Sequence, residues 1–83
     1  MNEHQLEVTE IILEIIEMEM DEIKPDDEFA QFDHIDSLQA LDILTELERK
    51  FKIKLPESEL RNFTTINNII EVVERNVPAL AVG

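Results

Sequence analysis

Eighty-three residues with a formal net charge of −13 and no cysteine make one small domain. Its core must be apolar, without disulfides or a thiolate metal site. The charge excludes a nucleic-acid partner, whose phosphates it would repel, and nothing approaches the roughly 18 consecutive apolar residues of a membrane span. Residues 1–36 hold thirteen Asp/Glu against one lysine, whereas residues 37–83 hold seven acids and six bases. A polyanion of this kind stays in solution and suits steering onto basic patches of larger proteins. The acidic start Met1-Asn2-Glu3-His4 does not read as a secretory leader, so a cytoplasmic location is expected.

The pattern predicts a long first helix over residues 3–20. Glu3, Glu7, Glu10, Glu14, Glu17 and Asp21 form an acidic stripe, while Leu6, Val8, Ile11, Ile12, Leu13, Ile15, Ile16, Met18 and Met20 fill most of the remaining circumference. So wide an apolar arc packs against more than one helix, as in a bundle. Each like-charge pair four apart costs roughly 0.2–0.5 kcal/mol, so tertiary burial must hold this helix together. The stripe itself reads as a solvated face or as a loose binder of divalent cations. Residues 21–35 then form a long loop in which Pro25 stops the helix and Ile23, Phe29, Phe32 and Ile35 serve as apolar anchors. The acids from Asp26 to Asp36 lack the glycine and spacing of a calcium loop.

Asp36 is the expected N-cap of a second helix over residues 37–51, with Gln39 placed to complete a capping box. Ser37 then takes the first helical position, where a phosphoryl group would meet free backbone N–H groups and the positive end of the helix dipole. Leu38, Leu41, Leu44, Leu47 and Phe51 are assigned to the core side, and Gln39, Asp42, Glu46, Arg49 and Lys50 to the other. A short third helix is expected over 57–62, capped by Ser58 or irregular. Thr65 is read as the N-cap of a fourth, over 66–75, whose Ile66, Ile69, Ile70, Val72 and Val73 close the bundle. Residues 77–83 read as a frayed tail after a domain spanning 1–76. Enzyme chemistry has little support. His4 and His34, the only histidines, lack a nucleophile and an orienting carboxylate at useful spacing. The sole glycine, Gly83, leaves no phosphate-cradling loop, and no zinc-ligand pattern is present.

Asp36-Ser37-Leu38, followed by Asp42-Ile43, Leu47-Glu48 and Phe51, resembles the signature of the acyl carrier proteins. The run from Phe51 to Glu57 and the segment Phe63-Thr64-Thr65-Ile66 are in similar register, so the resemblance extends to about Asn76. It implies an all-α, four-helix bundle with a long loop between the first two helices and a short third helix. It further implies that Ser37 receives a covalent 4′-phosphopantetheine arm from coenzyme A, delivered by a phosphopantetheinyl transferase (holo-carrier synthase) using a divalent metal, with Asp36 and Leu38 flanking the attachment. By position in the motif, Asp42, Ile43, Glu46 and Glu48 would be read by partner enzymes that load and transfer acyl groups. Leu41, Leu44, Leu60, Phe63 and Ile66 would line a space for the acyl chain. No catalytic residue or resident metal is implied, and the carrier is expected to be a monomer. An aminoacyl or peptidyl carrier, or an unmodified interaction module of the same fold, remain the alternatives.

Two departures stand out. His34 occupies a position where carriers commonly have glycine; it reads as an exposed loop residue, as a group near a phosphate on Ser37 or as a partner contact. The end of the second helix turns basic, Arg49-Lys50-Phe51-Lys52-Ile53-Lys54, which either complements the helix dipole or marks a specialised carrier of a dedicated pathway rather than a housekeeping one.

Overall fold

The computed structural model describes residues 2–77. Each α-helix begins at a side chain that accepts a hydrogen bond from the N–H three residues on: Asn2 before α1 (Glu3–Ile16), Asp36 before α2 (Ser37–Phe51) and Thr65 before α3 (Ile66–Asn76). At Asn2 and Asp36 a glutamine returns the bond to the cap's own N–H, completing reciprocal capping boxes with Gln5 and Gln39. A 3₁₀ helix, Glu57–Asn62, supplies the short fourth member of an all-helical bundle. No side chain caps it, Ser58 included; Pro56 holds the cap position.

α1 ends at Ile16, four residues before the expected Met20. Glu17 adopts a left-handed conformation (φ 56°), and the N–H of Met18 reaches back to the Leu13 carbonyl at 3.1 Å. Running on would have set Glu17 and Asp21 below Glu14 at the negative end of the helix dipole. Closure instead turns Met18 back against the core and leaves Met20 exposed. α2 ends the same way at Lys52 (φ 55°), with Ile53 bonded to the Glu48 carbonyl at 3.1 Å. Both are Schellman closures made without glycine.

The closed core is aliphatic: Val8, Ile12 and Ile16 of α1 meet Ile43 and Leu47 of α2, and α3 covers them with Ile66, Ile69, Val72 and Val73. Thr9 is buried as well, its hydroxyl donating to the Gln5 carbonyl at 2.8 Å. The core face of α2 is shifted from the one expected, keeping Leu44, Leu47 and Phe51 but not Leu38 and Leu41. Ala40, Ile43, Leu44, Leu47 and Phe51 pack inward, while Leu38 and Leu41 are exposed. At about 100° per residue Leu38 falls roughly 120° from Leu44, and the neighbouring helices cover the side that carries Ile43.

The long loop is tied down along its length. Ile23 and Phe29 are buried, and Phe32 and Ile35 pack against the core. A 3₁₀ turn at Phe29–Gln31, absent from the sequence reading, lets the Phe29 N–H donate to the Thr64 carbonyl at 2.8 Å. Further back, the Asn67 N–H donates to the Pro25 carbonyl at 3.1 Å. Loop and α3 start are thus one unit. Of the expected C-terminal tail, Val77 is half-buried and bonded to the Val73 carbonyl, and residues 78–83 lie outside the described residues.

Two polar ties close the far end. His4 meets Glu74 at 2.7 Å, linking α1 to α3. The Glu59 carboxylate accepts from Asn76, Arg75 and Asn62, fastening the 3₁₀ helix to the end of α3. Those donors, Asn76 and then Arg75 foremost, hold the Glu59 carboxyl below the ordinary glutamate value of 4.5. Because its folded value is depressed, Glu59 stabilises the fold above about pH 4.5, and that contribution is lost as pH falls through the folded value. In urea titrations at several pH values, Glu59→Gln is expected to be less stable than the parent at neutral pH, with the gap narrowing as pH drops below that range. A gap independent of pH would contradict the tie.

Candidate functional site

The site forms where α1 ends and α2 begins. The two helices run antiparallel: Gln39, in the first turn of α2, lies against the Ile15 carbonyl, and Lys50, near the other end, lies 3.8 Å from Glu7. Inside the capping box, the Gln39 N–H donates to Asp36 Oδ1 at 3.1 Å and the Asp36 N–H to Gln39 Oε1 at 3.0 Å. This serves one first-turn donor of α2; the helix leaves the N–H groups of Ser37 and Leu38 without an internal acceptor. Ser37 is exposed, and Leu38 beside it is 69% exposed.

A mostly apolar cavity of about 360 Å³ opens at the foot of Ser37, walled by Phe29, Ile35, Leu41, Leu60 and Phe63, with Ser37 and Asp36 at its polar rim. Leu41, Leu60 and Phe63, expected around an acyl chain, line this cavity. Leu44 and Ile66 are not part of the wall; they sit in the closed core behind it. The loop residues Phe29, Ala30 and Ile35 take their place. Phe29 and Ile35 carried an apolar signal in the sequence, but only the folded loop shows that they line this cavity as well as the core edge.

The surface residues divide in the same way. Asp42 is exposed, and Glu46 is half-exposed, 3.3 Å from Arg49. Ile43, expected at the recognition surface, is 1% exposed and belongs to the core, because it lies on the side of α2 that faces the other helices. Glu48 is occupied within the fold: its carboxylate accepts the Leu55 N–H at 2.7 Å and braces the chain that leaves α2. His34 turns toward α1, its Nε2 3.0 Å from the Ile16 carbonyl and its ring edge-on to Phe32 at 6.4 Å between centroids. Its φ is not positive, so the approach to α2 does not require glycine there. Among the described residues, no group of three or more His, Asp or Glu is placed to hold a metal ion, and no helix is long and apolar enough to cross a membrane.

Ser37 thus presents an exposed hydroxyl at a capped helix start, beside an apolar cavity. The model of the phosphopantetheine attachment site family matches residues 7–73. The chain belongs to the acyl carrier protein family. It is 28% identical over 69 residues to an acyl carrier protein of Helicobacter hepaticus, covering 83% of this chain and 91% of that one. It is 26% identical over 70 residues to one of Wolinella succinogenes, covering 84% and 92%. A chain in the solved structure of the ishigamide ketosynthase/chain length factor superposes with a TM-score of 0.75 at 25% identity, covering 92% of this chain and 96% of that one. The solution structure of a holo acyl carrier protein from Geobacter metallireducens superposes at 0.72 with 18% identity, covering 93% and 88%, and supports the fold. As an acyl carrier protein the chain bears a phosphopantetheine arm, serves fatty-acid and related biosynthesis, and catalyses nothing itself.

The two faces of α2 separate in a stability measurement. Ile43→Ala is expected to cost about 2–5 kcal/mol, whereas Leu38→Ala stays within about 0.5 kcal/mol of the parent in urea titrations. Equal losses would contradict the placement.

Proposed function

We propose that Ser37 is the residue through which the arm is attached, and that the cavity beside it receives the acyl chain carried by the arm. The observation that carries this reading is the position of the Ser37 side chain: exposed, at the first position of α2, on the rim of an apolar cavity. Asp36 fixes where the helix starts. The open N–H groups of Ser37 and Leu38, together with the helix dipole, favour the negative charge of a phosphodiester at that point. When bound, phosphopantetheine supplies a thiol that holds the acyl group as a thioester. The protein's own task is to present that thiol and to keep the chain out of water between deliveries.

The wall of Leu41, Leu60 and Phe63, backed from the core by Leu44 and Ile66, supports acyl rather than aminoacyl cargo, since a free ammonium group would lose hydration against these apolar side chains. Leu38, Asp42 and Glu46 face outward on the same helix as Ser37 and form a surface for partner enzymes with basic complements. Those partners are a phosphopantetheinyl transferase and the enzymes that load and transfer acyl groups, met by a monomeric carrier in the cytoplasm. Encounters of this kind are brief and weaken with salt. The sign reversal from Arg49 to Lys54 supports a carrier dedicated to a specialised pathway.

Incubation with coenzyme A, magnesium and a phosphopantetheinyl transferase, read by intact mass, is expected to add one phosphopantetheinyl group to the parent and none to Ser37→Ala. A gain that survives the substitution would contradict the assignment.

A further inference from the structure

The early closure of α1 leaves the Ile15 and Ile16 carbonyls, at the negative end of the helix, without donors of its own. Both are met from the segment that carries Ser37. His34 donates through Nε2 to the Ile16 carbonyl at 3.0 Å, which requires the proton on that nitrogen because a carbonyl only accepts. Gln39 lies with its amide nitrogen 3.5 Å from the Ile15 carbonyl, a looser contact, while its oxygen is held by the Asp36 N–H. The two side chains bracket Ser37, one three residues before it and the other two after. Between Phe32 and Asp36 the other ties are the packing of Phe32 and Ile35 against the core, the Ile35 N–H bond to the Phe32 carbonyl at 3.2 Å and the Phe32 ring against His34, none of which reaches the end of α1 by a hydrogen bond. Ile35 is also the residue this segment contributes to the cavity wall.

We propose that His34 and Gln39 form a clasp that pins the start of α2 onto the end of α1, and that His34 acts as a positioning residue for loading the arm. The positioning role rests on the reading of Ser37 as the attachment point; the clasp itself does not. Glycine at position 34 has no side chain to make the bond, so a chain with glycine there must hold this turn by other means. Losing the His34 bond frees residues 33–36 to open locally while the aliphatic core stays closed. A transferase that needs the closed turn then meets a smaller competent population, which raises the apparent KM and leaves kcat unchanged.

The test uses three proteins: the parent, His34→Ala, and His34→Gln, whose amide can still donate. In hydrogen exchange on the unmodified proteins, the Ile35 and Asp36 amides are expected to exchange roughly three- to tenfold faster in His34→Ala, a step of the size of one net hydrogen bond. The amides of Ile12 and Ile70 should hold their parent rates, and His34→Gln should recover most of the protection. With coenzyme A and a transferase, KM for His34→Ala should rise at constant kcat in inverse proportion to the closed fraction of the turn, which the same exchange rates give. Unchanged exchange at Ile35 and Asp36, or a His34→Gln variant as open as His34→Ala, overturns the clasp. Faster exchange spread equally over Ile12 and Ile70 also overturns it, since the effect is then global. A KM that does not follow the closed fraction overturns the positioning role. A parent that accepts no arm overturns the Ser37 reading and that role with it, and the exchange results still judge the clasp.

Discussion

Asp36 and Gln39 exchange two hydrogen bonds across the first turn of α2, and the working geometry of the carrier depends on that exchange. A side-chain cap of this kind stabilises a helix by about 1 kcal/mol, which is modest. Its larger effect is to fix the residue at which the helix begins. Moving the start by one position would rotate Ser37 by about 100° around the helix axis, away from the cavity rim or onto it from the wrong side. The cap also occupies one first-turn donor while leaving two others open, so the same turn is both closed enough to be rigid and open enough to favour an anion.

Around that turn the protein keeps two apolar regions apart. The closed core, from Val8 to Val73, holds the bundle together, and the cavity beside Ser37 lies between α2, the long loop and the 3₁₀ helix. The loop stays in place through backbone bonds to the start of α3 and through Phe29, which seats in the core edge. Stability has to come from this burial. A chain this short hides only about 60% of its unfolded surface, and its negative charge opposes compaction. The surface pairs Lys50–Glu7 and Arg49–Glu46 offset little of that repulsion, since exposed ion pairs are individually weak.

What could be read from the letters followed from local chemistry. Asp36 and Thr65 announce helix starts because their short polar side chains reach the backbone only at that geometry, and Ser37 followed from Asp36. The end of α1 was not legible, because Glu17 takes a left-handed conformation that a glycine would have signalled. Nor was the edge of the α2 core face, though Leu44, Leu47 and Phe51 were placed on it. Leu38, Leu41, Ile43, Leu44 and Leu47 spread over too wide an arc for the wheel to choose an edge, and the choice came from where α1 and α3 lie. Glu48 looked like a recognition residue, yet its partner is the Leu55 N–H, a contact set by how the chain turns after α2. The cavity wall was half legible: α2 and the 3₁₀ helix offered Leu41 and Leu60 by pattern, whereas Ile35 and Phe29 arrive through a loop conformation that no periodicity encodes.

The central claim is that the start of α2 presents Ser37 directly over a space able to shelter an acyl chain. Its most direct test compares amide NMR spectra of the arm-bearing protein with its thiol free and with a short saturated acyl group attached. Acylation is expected to shift the amides of Ala30, Ala40, Leu60 and Phe63, which line the cavity on three separate segments of the chain. If acylation leaves all four unmoved while shifting only residues at the surface around Ser37, the chain rides in solvent and the account is wrong.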